Sequence, residues 1–180
     1  KLIHLCTWWD MLAEARAPDF ESVFIDEGFT PLLVAEELSL LGRLVVVTAS
    51  LPAALALSND PHATVLVLGG RMRGRTSATV DHWALRMLGE MWIDVAFLGA
   101  NGISRDRGVT TPDPAVAAMK QEAVRRSRRR ILIADHTKFG MISLCRFAEL
   151  GDFGTVVTDT GLSAREASRY EALGPRVIRV

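Results

Sequence analysis

Residues able to hold a ligand or move a proton gather in five short segments, each directly after an apolar run. They are Asp26-Glu27-Gly28-Phe29-Thr30, Thr48-Ala49-Ser50, Gly69-Gly70, Gly99-Ala100-Asn101-Gly102 and Asp135-His136-Thr137-Lys138-Phe139-Gly140. Carboxylates, hydroxyls, a carboxamide, a lysine and small residues are the inventory for a small polyol bearing an anionic group. Glycines let the backbone approach such a ligand, and helix amino ends offer N–H groups to a phosphate. Thr110-Thr111-Pro112-Asp113 adds hydroxyls and a capping carboxylate ahead of a helical stretch. On that stretch Lys120 falls within an apolar stripe of Val116, Ala123 and Val124, with Met119 at its border. A lysine there is costly unless it is paired or near an anion; the other reading is that it snorkels to solvent along its methylenes. Arg71, Arg73 and Arg75 alternate after Gly69-Gly70; they read as an exposed loop, with Arg73 the candidate phosphate contact.

Several chemistries find no local support. Gly69-Gly70 is not followed by a Walker-type Gly-Lys-Ser/Thr, and no G-x-G-x-x-G opens a helix after the first apolar run. His4, His62, His82 and His136 have no metal-binding spacing, nor do Cys6 and Cys145, and neither Ser50 nor Ser143 sits in a nucleophile elbow. The reading therefore assigns no catalytic residue, no metal and no cofactor. The composition is that of a globular domain, with 180 residues, 49% hydrophobic and 23% charged. Equal numbers of basic and acidic side chains, 21 each, argue against a surface that coats nucleic acid. No apolar run nears the roughly 18 residues of a membrane span, so no membrane partner is expected. Two distant cysteines and no signal peptide fit a reduced, cytoplasmic protein, and a start at Lys1 fits a piece of a longer chain.

Elements must position these segments. Near-continuous Val/Ile/Leu runs predict strands at Val23–Asp26, Leu44–Thr48, Thr64–Leu68, Asp94–Leu98, Ile131–Ala134 and Thr155–Thr158, as for strands covered on both faces. Helical stretches lie between them, near 31–41, 52–58, 80–91, 114–128 and 163–172, and the arginines from Arg125 to Arg130 read as a solvated helix end. The alternation predicts an α/β fold, a mostly parallel, doubly wound, Rossmann-like sheet. Ligands bind such sheets beyond the carboxyl ends of the strands, where the polar segments fall. Residues 1–20, with Trp8 and Trp9, read as an amphipathic helical lead-in and 21–180 as the domain.

In order along the chain, Phe24-Ile25-Asp26-Glu27-Gly28-Phe29-Thr30, Val47-Thr48-Ala49-Ser50-Leu51-Pro52, Leu68-Gly69-Gly70-Arg71-Met72-Arg73, Ala96-Phe97-Leu98-Gly99-Ala100-Asn101-Gly102-Ile103, Gly108-Val109-Thr110-Thr111-Pro112, Lys120 and Ala134-Asp135-His136-Thr137-Lys138-Phe139-Gly140 resemble the DeoR family of bacterial transcriptional regulators. The resemblance covers roughly residues 20–160 and is to the family's C-terminal sensor domain. It implies a fold like that of ribose-5-phosphate isomerase, a phosphorylated sugar or related metabolite as effector, and a homo-oligomer. It also implies that DNA is bound only by an N-terminal winged helix-turn-helix, which is absent from this chain. Phe29, Ala49 and Asn101 depart from the family's usual hydroxyl residue, Asn and Asp. The candidate ligand-binding residues are Asp26, Gly28, Thr30, Thr48, Ser50, Gly99, Asn101, Gly102, Thr110, Thr111, Lys120, Asp135 and Lys138. The resemblance independently implies that Lys120 stands near the sugar. The alternative reading is an active phosphosugar isomerase. Related isomerases carry acidic residues in the loop that here reads Gly99-Ala100-Asn101-Gly102, and Asn101 cannot act as the base that proton transfer requires.

Overall fold

Strands β1 (Ser22–Ile25), β2 (Leu44–Thr48) and β3 (Ala63–Val67) form one half of a parallel sheet in the computed structural model, which describes residues 22–38 and 43–180. The other half is β6 (Ile93–Gly99), β9 (Ser127–Ile133), β11 (Thr155–Thr158) and β12 (Arg176–Arg179), giving seven strands in the order β12-β11-β9-β6-β1-β2-β3. Successive side chains of a strand point to opposite faces. Phe24 and Leu98 accordingly enter one core, and Val23, Ile25 and Phe97 enter the other. Helices α1 (Phe29–Leu38) and α2 (Leu51–Leu57) cover the second core through Val34, Leu38, Ala53 and Leu57. Helices α3 (His82–Gly89), α4 (Pro114–Arg126) and α5 (Ala164–Glu171) cover the first through Leu88, Val116, Ala123 and Tyr170. Burial on both faces accounts for the unbroken apolar runs of β1, β2 and β6. β3 departs from that expectation: it is an edge strand, and its Leu66 and Val67 are exposed. The expected doubly wound α/β fold is the observed one.

Every expected long strand is present, but six short ones escaped the sequence reading. β4 (Arg71–Arg73) and β5 (Ala78–Val80) form an antiparallel hairpin. β7 (Gly102–Ser104), β8 (Gly108–Thr111) and β10 (Cys145–Ala148) make a three-stranded antiparallel sheet, and β12 closes one edge of the main sheet. The β7–β8 turn needs glycine at 108, where φ is +70° and a Cβ would lie 2.5 Å from the Ala148 carbonyl oxygen. The arginine cluster is a correction. α4 stops at Arg126, and Arg128, Arg129 and Arg130 belong to β9, where Arg129 and Arg130 stand opposite Val95 and Ala96 of β6. Pairing with β6 overrides the helical propensity of the arginines. The lead-in expected over residues 1–20 and the last residues of the first expected helix lie outside the described residues.

Strand order places the functional edge. β2 and β3 follow on one side of β1, and β6, β9, β11 and β12 on the other. The order therefore reverses between β1 and β6, and the crevice at their carboxyl ends is where such sheets take ligands.

Candidate functional site

Asp26 directly follows β1, its backbone N–H donating to the Phe97 carbonyl at 3.1 Å. Its Oδ2 accepts the Gly99 backbone N–H at 2.8 Å and pairs with Nζ of Lys120, which also donates to the Gly99 carbonyl at 3.0 Å. Nζ lies 5.4 Å from the centre of the Phe147 ring. The relative exposure of Asp26 is 4% and that of Lys120 3%, so the lysine does not snorkel. A buried pair ties the ends of β1 and β6 to α4. Breaking such a pair from one side typically costs about 3–5 kcal/mol.

Above it opens a cavity of about 250 Å³. Glu27, Gly28, Phe29 and Thr30 bound one side, Gly99, Ala100 and Asn101 another, and Ala134, Asp135 and Lys138 a third, with Lys120 and Thr76 completing the wall. Gly28, with φ of +113°, turns the chain from β1 into α1. The amino end of α1 thus borders the cavity, and first-turn amides have no partner within their own helix. At the end of β9, Asp135 caps the turn at His136–Lys138 by accepting the Thr137 N–H at 2.9 Å and its hydroxyl. Lys138 Nζ stands 3.9 Å from Asp135.

The expected ligand-binding residues divide by where the fold puts them. Gly28, Thr30, Gly99, Asn101, Lys120, Asp135 and Lys138 meet at the cavity, and Asp26 stands behind it against Lys120. Thr48 and Ser50 do not line it. Thr48 Oγ1 donates to the Ile25 carbonyl at 2.7 Å and accepts the Ser50 N–H at 3.0 Å, while Ser50 caps α2 through Ala53. Thr110 and Gly102 build the small sheet: Thr110 Oγ1 donates to the Gly102 carbonyl at 3.2 Å and accepts the Ser143 N–H at 2.9 Å. Thr111 donates to Asn101 Oδ1 at 3.0 Å and so orients a lining residue. Arg73 is held between carboxylates, with Nη1 on Glu27 at 3.1 Å and Nη2 on Asp113 at 3.1 Å. Ala49 is buried in the core, away from the cavity, whereas Phe29 is 66% exposed at its rim.

Thr76 was missed. It lies in the β4–β5 turn, which no apolar run announces, and its hydroxyl donates to Glu27. Glu27 was not among the expected ligand-binding residues, yet it lines the cavity. Two carboxylates nearby sit below their ordinary pKa. Burial pushes Asp113 up, but the amides of Val116 and Ala115 and the charges of Arg73 and Arg71 outweigh it. Burial likewise raises Asp159, and the amides of His136 and Gly161 with the His136 ring, 2.7 Å away, more than reverse the effect. Among the described residues no group of His, Cys, Asp and Glu has the arrangement of a metal site.

The family model described as "DeoR C terminal sensor domain" matches residues 12–160. The chain belongs to this family. FruR of Bacillus subtilis, named an uncharacterized HTH-type transcriptional regulator, is 33% identical over 139 residues, covering 77% of this chain and 55% of that protein. The HTH-type transcriptional regulator GlpR of Haloferax volcanii is 33% identical over 156 residues, 87% of this chain and 61% of its own length. The glycerol-3-phosphate regulon repressor of Escherichia coli is 28% identical over 144 residues, 80% of this chain and 57% of that protein. This DeoR-type sensor domain thus spans little more than half the length of these relatives. Among solved structures, RipA of Yersinia pestis superposes with a TM-score of 0.56 at 18% identity, over 97% of this chain and 50% of that one. Ribose 5-phosphate isomerase A of Methanocaldococcus jannaschii aligns with a TM-score of 0.49 at 13% identity, over 71% and 50%. No helix among the described residues is long and apolar enough to cross a membrane.

Proposed function

We propose that residues 21–180 are the effector-binding and oligomerising domain of a cytoplasmic transcriptional regulator of sugar metabolism, and that the effector is a phosphorylated sugar or related metabolite. DNA is contacted through a winged helix-turn-helix preceding this domain in the full-length protein, and the domain itself binds no duplex specifically. The observation that carries the reading is the cavity at the β1–β6 switch point, where the amino end of α1, Lys138 and the hydroxyl and amide groups of Thr30 and Asn101 converge. The kinship with a glycerol-3-phosphate regulon repressor supports a small phosphorylated polyol as the class of ligand.

The domain senses its ligand without turning it over. Aldose–ketose isomerisation needs a free base beside the sugar carbons. Asn101 is no base, Asp26 is engaged by Lys120 and Gly99, Glu27 by Arg73 and Thr76, and Asp135 by Thr137. The test is a thermal-shift and calorimetric panel of sugar phosphates, followed by an assay of each binder for conversion. Saturable binding without conversion supports the reading. At a hundred times its dissociation constant a ligand adds about 2.7 kcal/mol to stability. Conversion establishes an isomerase-like enzyme instead, and a panel without any binder leaves only the oligomerising role.

A further inference from the structure

Glu27 is an unexpected neighbour for an anionic ligand. It lines the cavity, yet its carboxylate is already occupied, accepting from Arg73 Nη1 at 3.1 and 3.2 Å and from the Thr76 hydroxyl. The side chains of Arg73 and Glu27 are 16% and 13% exposed, so the pair is well shielded. Arg73 is bound on its other side by Asp113 at 3.1 Å, at the amino end of α4. One guanidinium thus serves two carboxylates, and the cluster carries a net negative charge. From the cavity, Arg73 lies behind Glu27 and Thr76, which themselves form the wall.

We propose that Glu27 is a specificity-determining residue: a resident anion that occupies Arg73 and sets how much negative charge the effector can carry at this end of the cavity. This rests on the sensor reading above and deepens it. A phosphate beside the Glu27 carboxylate meets like-charge repulsion in a partly desolvated site, where such terms are far less screened than in bulk water. A neutral hydroxyl end of the ligand does not. Removing the charge while keeping the shape leaves a carbonyl oxygen for Arg73 or Thr76 and reduces the cluster to a neutral Arg73–Asp113 pair, so the repulsion of a phosphate is relieved. Glu27 therefore favours ligands with a single anionic group, borne on the Lys138 side of the cavity with a hydroxyl end toward Glu27 and the amino end of α1, over ligands charged at both ends.

The experiment is calorimetric titration of the 180-residue chain and its Glu27→Gln and Glu27→Ser variants, each first shown to unfold cooperatively. The probes are inorganic phosphate, a sugar bisphosphate, a sugar monophosphate and the unphosphorylated sugar. Both variants gain about ten-fold or more for inorganic phosphate and for the bisphosphate, about 1.4 kcal/mol, while the unphosphorylated sugar changes by less than about three-fold. Arg73→Gln in the Glu27→Gln background abolishes the gain. Unchanged phosphate and bisphosphate affinity in both variants, or an equal gain for the neutral sugar, overturns the proposal. If the parent binds a monophosphate and no variant gains, the sensor reading stands and the role of Glu27 falls. If the variants gain inorganic phosphate while no sugar phosphate binds any of the proteins, the role of Glu27 stands and the effector class falls.

Discussion

Lys120, on the fourth helix, and Asp26, at the end of the first strand, are joined in a buried ion pair although 94 residues separate them in sequence. The Gly99 backbone closes the arrangement from the sheet's neighbouring strand, donating to Asp26 and accepting from Lys120. Three elements are fixed at the strand crossover by one cation and one anion, and the cavity lies directly over them.

Lys120→Met is expected to destabilise the domain by about 3–5 kcal/mol, because it leaves the Asp26 carboxylate buried without its cation. An unpaired lysine here would have given the opposite sign, and the ion pair rules that out. Asp26→Asn combined with Lys120→Met recovers a substantial part of the loss. Urea denaturation of the two single variants and the double variant measures this. Under conditions where Lys120→Met remains folded, loss of one charge-assisted contact weakens effector binding by roughly 10- to 150-fold. Arg125→Met is the suitable control, since Arg125 is an exposed residue of the same helix paired only at 3.7 Å with Glu122.

The fold was legible where both faces of a strand are buried. Val45 to Val47 and Val95 to Leu98 could hardly be exposed, and their order along the chain settles the parallel sheet. It was illegible where pairing is short and carried by backbone. Gly102–Ser104 and Arg71–Arg73 have three residues each and no apolar period. The site was legible as an edge, since strand ends with glycines and polar groups must converge in such a sheet. Individual roles were not. Thr48, Ser50 and Thr110 look like ligand hydroxyls in sequence, but each is spent on a backbone group. No local pattern says that Asp26, rather than Asp135, takes the lysine.

Asp113→Ala removes the cap on Ala115 and Val116 together with an ion pair to Arg73, and a cost of about 1–2 kcal/mol is expected. The pH dependence has a definite sign. A carboxylate with a folded pKa below its unfolded value of about 3.9 adds stability that is present above that value and is lost as pH falls through the lowered one. The difference in stability between parent and Asp113→Ala is therefore constant near neutrality and shrinks in acid. Chemical denaturation at neutral pH and at successively lower pH tests this, and a difference that grows in acid contradicts it.

Gly108→Ala should be disruptive without touching the cavity. The alanine methyl would meet the Ala148 carbonyl oxygen at 2.5 Å in a left-handed backbone conformation that favours glycine. The expected loss is about 1–3 kcal/mol, read by thermal unfolding. A variant as stable as the parent would show that the small sheet tolerates another register.

The most direct test of an anion-accepting sensor is the affinity of the 180-residue chain for a sugar phosphate against its unphosphorylated parent, measured by calorimetry at fixed salt. The phosphorylated compound is expected to bind at least about ten-fold tighter, a difference of about 1.4 kcal/mol, with no conversion of the ligand. Equal affinities for sugar and sugar phosphate, or turnover of either, would contradict the account.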